Sequence, residues 1–258
     1  MTWDVEQYER FRDQRSRPFM DLVARIPLAR VRTAVDLGCG TGELTAHLRE
    51  RWPGAQVHGV DSSAEMLAAA APRAAPGALT FAQGDAAAWT SAEPVDLVIS
   101  NALAQWLDDH RGLLARWCGA VAQGGAIAVQ MPGNFDAPSH RLLAQARADG
   151  PWAERLAGME RGNAVQEPAW YAEQLAAHGF THVDVWETTY VHVLQGPDAV
   201  LEWIKGTALR PVLARLTPQE QPRFLAQLGA RLREAYPARP CGVLFPFRRI
   251  FLVGAEKA

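Results

Sequence analysis

The sequence predicts an α/β protein built on a doubly wound, mostly parallel sheet of seven strands. Short apolar segments with β-type composition alternate with helical patterns between residues 33 and 131. The run at 95–100 is almost continuously apolar, which is typical of a central strand that helices cover on both faces. A glycine-dense turn at 38–42 joins the first strand to the first helix, as in sheets whose ligands bind at the carboxyl ends of the strands.

The elements follow in order from that turn. The first strand covers residues 33–37, and the helix after the turn begins near Glu43. The second strand ends in Asp61, and Ser63 is the expected N-cap of the helix that follows. The remaining elements of this half are strands at 56–60, 80–82, 95–100 and 126–131 and helices at 44–51 and 110–120.

The pattern changes after Pro132. Residues 133–170 are rich in Gly, Pro and Ala and are expected to be irregular, and the elements after them are a helix at 169–178, a strand at 181–192, helices at 197–235 and a strand at 244–253. The last strand is expected to pair antiparallel. This organisation predicts an N-terminal helical arm (1–32), a core (33–196 and 244–258) and a helical lid over the substrate (197–243), inserted before the last strand.

Composition limits the class of protein. The 258 residues are 48% hydrophobic and 21% charged, with a net charge of −2, so no overall charge attracts nucleic acid or an anionic membrane. No apolar run approaches the roughly 20 residues that span a bilayer, and the N-terminus lacks the apolar segment of a signal peptide. The three scattered cysteines have neither disulfide-framework nor metal-ligand spacing. A cytoplasmic protein without a metal, a nucleic-acid partner or a membrane partner is expected.

The glycine turn carries the chemistry. Gly38, Gly40 and Gly42 let the backbone turn tightly and approach a ligand without a Cβ in the way. Asp36 directly precedes the turn, where it can order the loop amides or accept from an amino group. Asp61 lies about 20 residues further on, a spacing at which a carboxylate binds both hydroxyls of a ribose.

Two rival interpretations of the turn are disfavoured. A triphosphate-binding loop needs a Gly-Lys-Ser/Thr ending, which is absent. A dinucleotide site favours Gly or Ala where Glu43 stands, and an acidic residue at that helix N-terminus would repel phosphate. A plain strand-to-helix turn is the remaining alternative, and the two aspartates at their strand ends argue against it. The combination resembles the S-adenosylmethionine site of Rossmann-like class I methyltransferases.

That resemblance implies a role for each cofactor residue. Asp61 would bind the ribose diol, with Ser62 and Met66 beside the adenine. Asp85 and the amide of Ala86 would contact the adenine edge, although Asp is also a common loop-capping residue. The expected cofactor-binding residues are Asp36, Gly38, Gly40, Gly42, Asp61, Ser62, Met66, Asp85, Ala86 and Asn101, the last facing the methionine part.

Further motifs extend over nearly the whole chain. They are Trp3, Tyr8, Arg15-Ser16-Arg17-Pro18, Asp36-Leu37-Gly38-Cys39-Gly40, Asp61-Ser62-Ser63, Gln105-Trp106, Asp109-His110, Ala128-Val129-Gln130-Met131-Pro132, Pro138, His140, Tyr171, Asp184-Val185-Trp186, Thr188, Tyr190, His192, Trp203, Gly206-Thr207, Leu209-Arg210-Pro211, Arg249 and Phe251. Together they resemble the trans-aconitate 2-methyltransferase family. The chain departs from that family's pattern at Gly40-Thr41-Gly42-Glu43, at 101–104 and through 133–165.

The resemblance implies methylation of a carboxylate of trans-aconitate to its monomethyl ester. Arginine binds carboxylates bidentately and stays charged, although a single arginine is most often a solvated surface residue. The expected substrate-binding residues are Arg17, Arg210, Arg249, Tyr171, Trp106 and Trp203. The acceptor carboxyl, with an ordinary pKa near 4, is already ionised at pH 7, so no catalytic base is expected and His192 acts at most as an orienting donor.

Other functions stay open on the sequence alone. A related enzyme would methylate another small acid or a malonyl group on a carrier protein, and a non-catalytic cofactor-binding module is a third alternative. A base-flipping nucleic-acid methyltransferase is disfavoured because residues 101–104 read Asn-Ala-Leu-Ala and lack the Asn-Pro-Pro-aromatic motif.

Overall fold

The computed structural model of the protein describes residues 12–159 and 164–258. The family-motif residues Trp3 and Tyr8, like residues 1–11 of the predicted arm, lie outside this part. The described strands are β1 (Thr33–Leu37), β2 (Gln56–Asp61), β3 (Leu79–Gln83), β4 (Val95–Asn101), β5 (Val121–Pro132), β6 (Phe180–Leu194), β7 (Ala238–Arg239) and β8 (Gly242–Lys257).

Helices alternate with the first five strands and then dominate the rest of the chain. The described α-helices are α1 (Arg12–Ala24), α2 (Glu43–Arg51), α3 (Ala64–Ala70), α4 (His110–Gly119), α5 (Pro138–Ala148), α6 (Ala153–Leu156), α7 (Pro168–Ala177), α8 (Ala199–Lys205), α9 (Arg210–Leu213) and α10 (Glu220–Ala235). Short 3-10 helices cover Ala71–Arg73 and Ala104–Trp106.

The strands form one sheet in the order β3-β2-β1-β4-β5-β8-β6, with the two-residue β7 paired to β8. Strands β1 to β5 are mutually parallel and β8 is antiparallel to β5. The predicted doubly wound α/β sheet and its antiparallel last strand are therefore confirmed. Because β2 and β4 flank β1, the chain direction across the sheet reverses there, and the carboxyl ends of β1 and β4 border a crevice where ligands of such sheets bind.

Burial explains why these segments form the centre of the sheet. In β4, Leu97, Val98 and Ile99 are fully buried, as the nearly continuous apolar run predicts. In β5, residues 126–131 are buried on both faces of the sheet. Ser63 is the N-cap of α3, because its Oγ accepts from the amide of Met66 at 3.2 Å, so that prediction is also confirmed.

The chain divides into two compact units. The first comprises Met1–Pro132, Ala164–Thr188 and Arg249–Ala258, and it contains β1 to β5. The second comprises Gly133–Asn163 and Thr189–Arg248, and it contains the helices of the predicted lid together with α5 and α6. Among the residues that the structure describes, no helix is long and apolar enough to cross a membrane.

The expectation of irregular chain over 133–170 is wrong, because this segment forms α5 and α6 and begins α7. Pro138 occupies the first turn of α5, where its missing N–H removes no helical hydrogen bond. Trp152 packs edge-to-face on Phe224 with ring centroids 5.1 Å apart and donates its indole N–H to the Ala146 carbonyl at 2.7 Å. The glycines and prolines therefore separate short helices that tertiary packing stabilises.

Candidate active site

The glycine turn after β1 adopts the backbone that its sequence requires. Gly38, Gly40 and Gly42 have φ values of 81°, 55° and 71°, a region that favours glycine. A Cβ on Gly38 would clash with the side chain of Leu103, and one on Gly42 would clash with the ring of Phe81. A Cβ on Gly40 would meet nothing within 4 Å among the described residues, so this face of the turn is open to a ligand.

Asp61 fixes the turn from the neighbouring strand. Its Oδ2 accepts from the amide of Gly40 at 2.9 Å, and its Oδ1 accepts from the amide of Ser63 at 2.9 Å. The carboxylate thus ties the glycine turn to the start of α3. Each carboxylate oxygen has further lone-pair capacity, so the pair of oxygens can also accept from the two hydroxyls of a ribose.

Asp36 lies beneath the turn and is buried. Its Oδ2 accepts from the hydroxyl of Thr45 at 2.6 Å. Burial raises the pKa of Asp36 to about 7, the Thr45 hydrogen bond opposes that shift, and the charge of Asp61 adds to it. Burial and both carboxylates also raise the pKa of the Cys39 thiol, so this cysteine is not an activated nucleophile.

The predicted adenine residues next to α3 differ in exposure. Ser62 is exposed, and its carbonyl accepts from the Gln83 amide group at 3.1 Å. Met66 is buried in the first turn of α3. Their position after β2 agrees with the sequence, and their contact with adenine stays a prediction.

The second pair of predicted adenine residues lies after β3. The exposed Asp85 accepts from the amide of Ala87 at 2.9 Å, which is the loop-capping contact that the sequence left as an alternative. The carbonyl of the buried Ala86 accepts from the indole N–H of Trp117 at 3.0 Å. This bond fixes the loop against α4, and the proposed contacts of both residues with adenine stay predictions.

The carboxyl ends of β4 and β5 carry buried polar atoms that are unsatisfied within the described chain. Asn101 Oδ1, Gln105 Oε1 and Gln130 Nε2 have no hydrogen-bond partner there. Asn101 and Gln130 are paired in register across β4 and β5, so their side chains lie on the same face of the sheet. Ala102, which follows Asn101, has a φ of 56°, and its carbonyl accepts from Gln105 Nε2 at 2.6 Å.

Arg249 extends this polar edge onto β8. It pairs in register with Pro132, its side chain is buried, and its Nη1 donates to Gln130 Oε1 at 3.3 Å. Phe251, two residues further along β8, pairs in register with Gln130. Arg249, Gln130 and Asn101 therefore share one face of the sheet, and we call these three residues with Gln105 the strand-end polar cluster.

Arg17 is placed differently. It lies on α1, which packs against β5, and its side chain is 71% exposed with Nε 3.9 Å from Asp21 Oδ2. The end of α1 is held by Arg25, which bonds Asp184 at 2.8 Å and lies 4.4 Å from the ring centre of Trp186. Arg17 is thus on a fixed helix but on its solvent side.

Three other predicted residues belong to the second unit. Arg210 begins α9 and is half-buried. His192 and Trp203 are buried with their rings stacked at a centroid distance of 4.7 Å. The ring of Tyr190 stacks on His192, and the rings of Phe245 and Phe247 pack at an angle to Trp203. His192 and Trp203 therefore belong to an aromatic core within their own unit. Their contact with substrate stays a prediction.

Tyr171 is buried in a hydrogen-bonded group of the first unit. His110 Nε2 lies 3.0 Å from the Ala104 carbonyl, so Nε2 carries the proton and Nδ1 accepts from the Tyr171 hydroxyl at 2.6 Å. Burial lowers the pKa of His110, which favours the neutral ring over the charged one. The group positions the 3-10 helix that ends at the half-buried Trp106. A direct contact of Tyr171 or Trp106 with the substrate stays a prediction.

Gln105 and Gln130 were missing from the sequence-predicted site, although both lie in the quoted motifs. Gln130 interrupts the apolar run at 126–131, and its side chain is completely buried. A polar residue inside a buried strand is the signal that could have identified it, since such a residue needs a partner.

Comparisons with known proteins agree with this geometry. Residues 34–125 match a family model described as a methyltransferase domain. A trans-aconitate 2-methyltransferase of Streptomyces avermitilis is 49% identical over 100% of this chain and 98% of its own. One of Azoarcus sp. strain BH72 is 48% identical over 99% of each chain.

A solved structure gives the same fold at low sequence identity. The S-adenosylmethionine-dependent methyltransferase of Thiobacillus denitrificans, in complex with S-adenosyl-L-homocysteine, superposes with a TM-score of 0.53 at 21% identity over 93% of this chain and 91% of that chain. The full-length relatives are far more similar in sequence than this structure. On their evidence, the chain belongs to the trans-aconitate 2-methyltransferase family of S-adenosylmethionine-dependent methyltransferases.

Proposed function

We propose that this enzyme transfers the methyl group of S-adenosylmethionine to a carboxylate of trans-aconitate and releases the monomethyl ester. The observation that carries the proposal is the full-length identity of 49% to a trans-aconitate 2-methyltransferase. The polar chemistry at the strand ends supports it, because acceptors and donors for both a cationic cofactor and an anionic acid lie on one sheet edge.

The residues at β1, β2 and β4 fit the cofactor. The open side of Gly40 admits a ligand against the backbone, and Asp61 presents a carboxylate directly beside it. The buried Asn101 Oδ1, which lacks a partner in the described chain, suits the ammonium group of the methionine part. S-adenosylmethionine supplies an electrophilic methyl on a sulfonium, so the chain has only to hold and orient it.

The acceptor needs orientation and desolvation, without a base. A carboxyl with an ordinary pKa of about 4 is ionised at neutral pH. The buried Arg249 provides a fixed cation for a carboxylate that does not react. Arg17 and Arg210 are proposed to bind non-reacting carboxylates as well. An arginine on the reacting carboxylate itself would reduce its nucleophilicity. Positioning of this kind supplies up to about 7–11 kcal/mol of the barrier.

A methyl-transfer assay tests the function directly. The purified protein receives S-adenosylmethionine carrying a labelled methyl group and, in parallel, trans-aconitate, cis-aconitate, isocitrate, citrate, a dicarboxylate or malonyl-carrier-protein. We expect alkali-labile label in a trans-aconitate monomethyl ester, identified by mass spectrometry and NMR. Label in another acid or in the carrier protein alone would replace trans-aconitate as the substrate, and absence of transfer to every acid would refute the proposal.

The Asp61→Ala variant is the matched control. It should lose methyl transfer to every acceptor together, because it removes the residue that anchors the glycine turn. A variant of a substrate residue should instead change the response to one class of acid.

A further inference from the structure

The side-chain amide of Gln130 has a hydrogen-bond partner for its oxygen, but its nitrogen has none among the described residues. Its Oε1 accepts from Arg249 Nη1 at 3.3 Å, which identifies the oxygen end of the amide. The other end, Nε2, is therefore the donor, and it is buried without a partner in the described part of the chain. A buried donor without a hydrogen-bond partner destabilises the protein unless a ligand accepts from it.

The unsatisfied atoms of the strand-end polar cluster divide by hydrogen-bonding type. Asn101 and Gln105 present acceptor oxygens, whereas Gln130 presents a donor. The cofactor offers donors, namely its ammonium group and ribose hydroxyls, and one carboxylate on its methionine part. A fully ionised polycarboxylate has only acceptors. The two acceptor oxygens therefore match the donors of the cofactor, and the Gln130 donor matches a carboxylate, which its position on the sheet assigns to the acid.

The position of Gln130 on the sheet indicates which carboxylate it would bind. It lies on β5 between Asn101 of β4, on the cofactor side, and the strand of Arg249, on the far side. A donor nearer the cofactor is suited to the carboxylate that reacts. An amide is neutral, so it can hold one oxygen without withdrawing the electron density that a cation would withdraw from the nucleophile.

We propose that Gln130 is an acceptor-positioning residue whose Nε2–H donates to one oxygen of the reacting carboxylate, leaving the other oxygen to attack the methyl. This inference rests on the proposed function and adds to it a residue for the reacting group, distinct from the arginine clamps. The C–O bond forms as the methyl–sulfur bond breaks, the sulfonium leaves as a neutral thioether, and Gln130 neither gains nor loses a proton.

The test compares three variants of the full-length protein. Gln130→Met removes the amide donor and keeps a side chain of similar size. Gln130→Asn keeps an amide, but its side chain is shorter by one methylene. As a control, Gln174→Met replaces another buried glutamine of the same unit. For Gln130→Met we expect kcat to fall and KM for trans-aconitate to rise, each by about tenfold, since one buried hydrogen bond is lost. Gln130→Asn should show smaller losses of the same kind, and Gln174→Met should match wild type.

Binding measurements separate positioning from folding. We would titrate trans-aconitate into protein saturated with S-adenosyl-L-homocysteine and measure binding by calorimetry. The Kd for trans-aconitate should be about tenfold higher in Gln130→Met than in wild type. The Kd for the cofactor product should stay near wild type, and the melting temperature should fall only slightly, through loss of the hydrogen bond between Arg249 and Gln130. Wild-type kcat and KM in Gln130→Met, or equal weakening of cofactor and acid, would overturn the inference while leaving the function intact. Absence of methyl transfer by the wild type would instead refute the function, and the titration would still decide whether Gln130 binds a carboxylate.

Discussion

The glycine turn and the strand-end polar cluster differ in how their polar groups are satisfied. In the turn, Asp61 accepts from two backbone amides and Asp36 accepts from Thr45. At the ends of β4 and β5, Asn101 Oδ1 and Gln130 Nε2 are buried and lack partners within the described residues. The protein thus satisfies the aspartates of the glycine turn itself, whereas the strand-end polar cluster has atoms that a ligand can satisfy.

This difference has a consequence for selectivity. A turn that the protein already holds can bind any ligand with the adenosine and methionine groups, which suits a shared cofactor. A buried donor that no described residue pairs with, here Gln130 Nε2, rejects ligands that lack the matching acceptor, because such ligands leave that donor unsatisfied. Substrate choice should therefore reside at β5 and β8.

The largest effect should follow from removing the buried charge of the cluster. In Arg249→Met, kcat/KM for trans-aconitate should fall about 10²-fold or more, since loss of one partner of a desolvated charge pair costs on the order of 3–5 kcal/mol. Steady-state kinetics measure this fall. Arg249→Lys should restore only part of it, because a point charge does not reproduce the guanidinium fork.

The cofactor provides the control for that variant. Its Kd, measured by calorimetry, should stay near wild type in Arg249→Met, since Arg249 lies on the β8 side of the cluster. A loss of cofactor affinity as large as the loss in kcat/KM would contradict the division of roles, in which the glycine turn binds the cofactor and Arg249 binds the acid.

The next effect concerns the glycine turn. Asp61→Ala should weaken S-adenosylmethionine binding by about 1.5–3 kcal/mol, because it removes a charged acceptor from the ribose and the two hydrogen bonds that tie the turn to the start of α3. Asp61→Glu should bind better than the alanine variant, since it keeps a carboxylate. An unchanged cofactor Kd in Asp61→Ala would contradict the assignment of this residue.

A pH-dependent effect should come from Asp36. Its pKa of about 7 in the folded protein exceeds the ordinary value of 3.8, so between these values the folded state binds more protons than the unfolded state. The free energy of unfolding should therefore fall as pH rises through that window and level off above about pH 7. Urea unfolding at a series of pH values should show this decline in wild type and a smaller one in Asp36→Asn.

Thr45→Val sharpens the same experiment. The Thr45 hydroxyl stabilises the ionised form of Asp36, so its loss should raise the pKa of Asp36 further and extend the decline to higher pH. A decline that is identical in wild type, Asp36→Asn and Thr45→Val would assign the pH dependence to other groups.

The same contrast explains what the sequence could reveal. The parallel strands, the Ser63 cap and the two aspartates were predictable, because each depends on local pattern and on residues spaced along one βα unit. Gln130 was not, because its significance depends on a buried amide whose neighbours on β4 and β8 are distant in sequence. The helices between 133 and 170 were missed because packing onto a distant helix, as by Trp152 on Phe224, stabilises them.

The smallest effect should follow from replacing Arg17. Its side chain is exposed and lies near Asp21 on the same helix, and exposed pairs of this kind contribute only about 0–1 kcal/mol. If Arg17 binds a carboxylate of the acid at the protein surface, Arg17→Ala should raise KM for trans-aconitate several-fold. The melting temperature should change little. The exposed Arg30→Ala is the matched control and should leave KM unchanged. Because screening weakens exposed charges, the Arg17 effect should shrink at high ionic strength, whereas the Arg249 effect should persist. If Arg17→Ala instead impairs the kinetics with trans-aconitate as much as Arg249→Met does at every salt concentration, Arg17 must be desolvated in the complex. In that case α1 contributes to binding of the acid as strongly as β8 does.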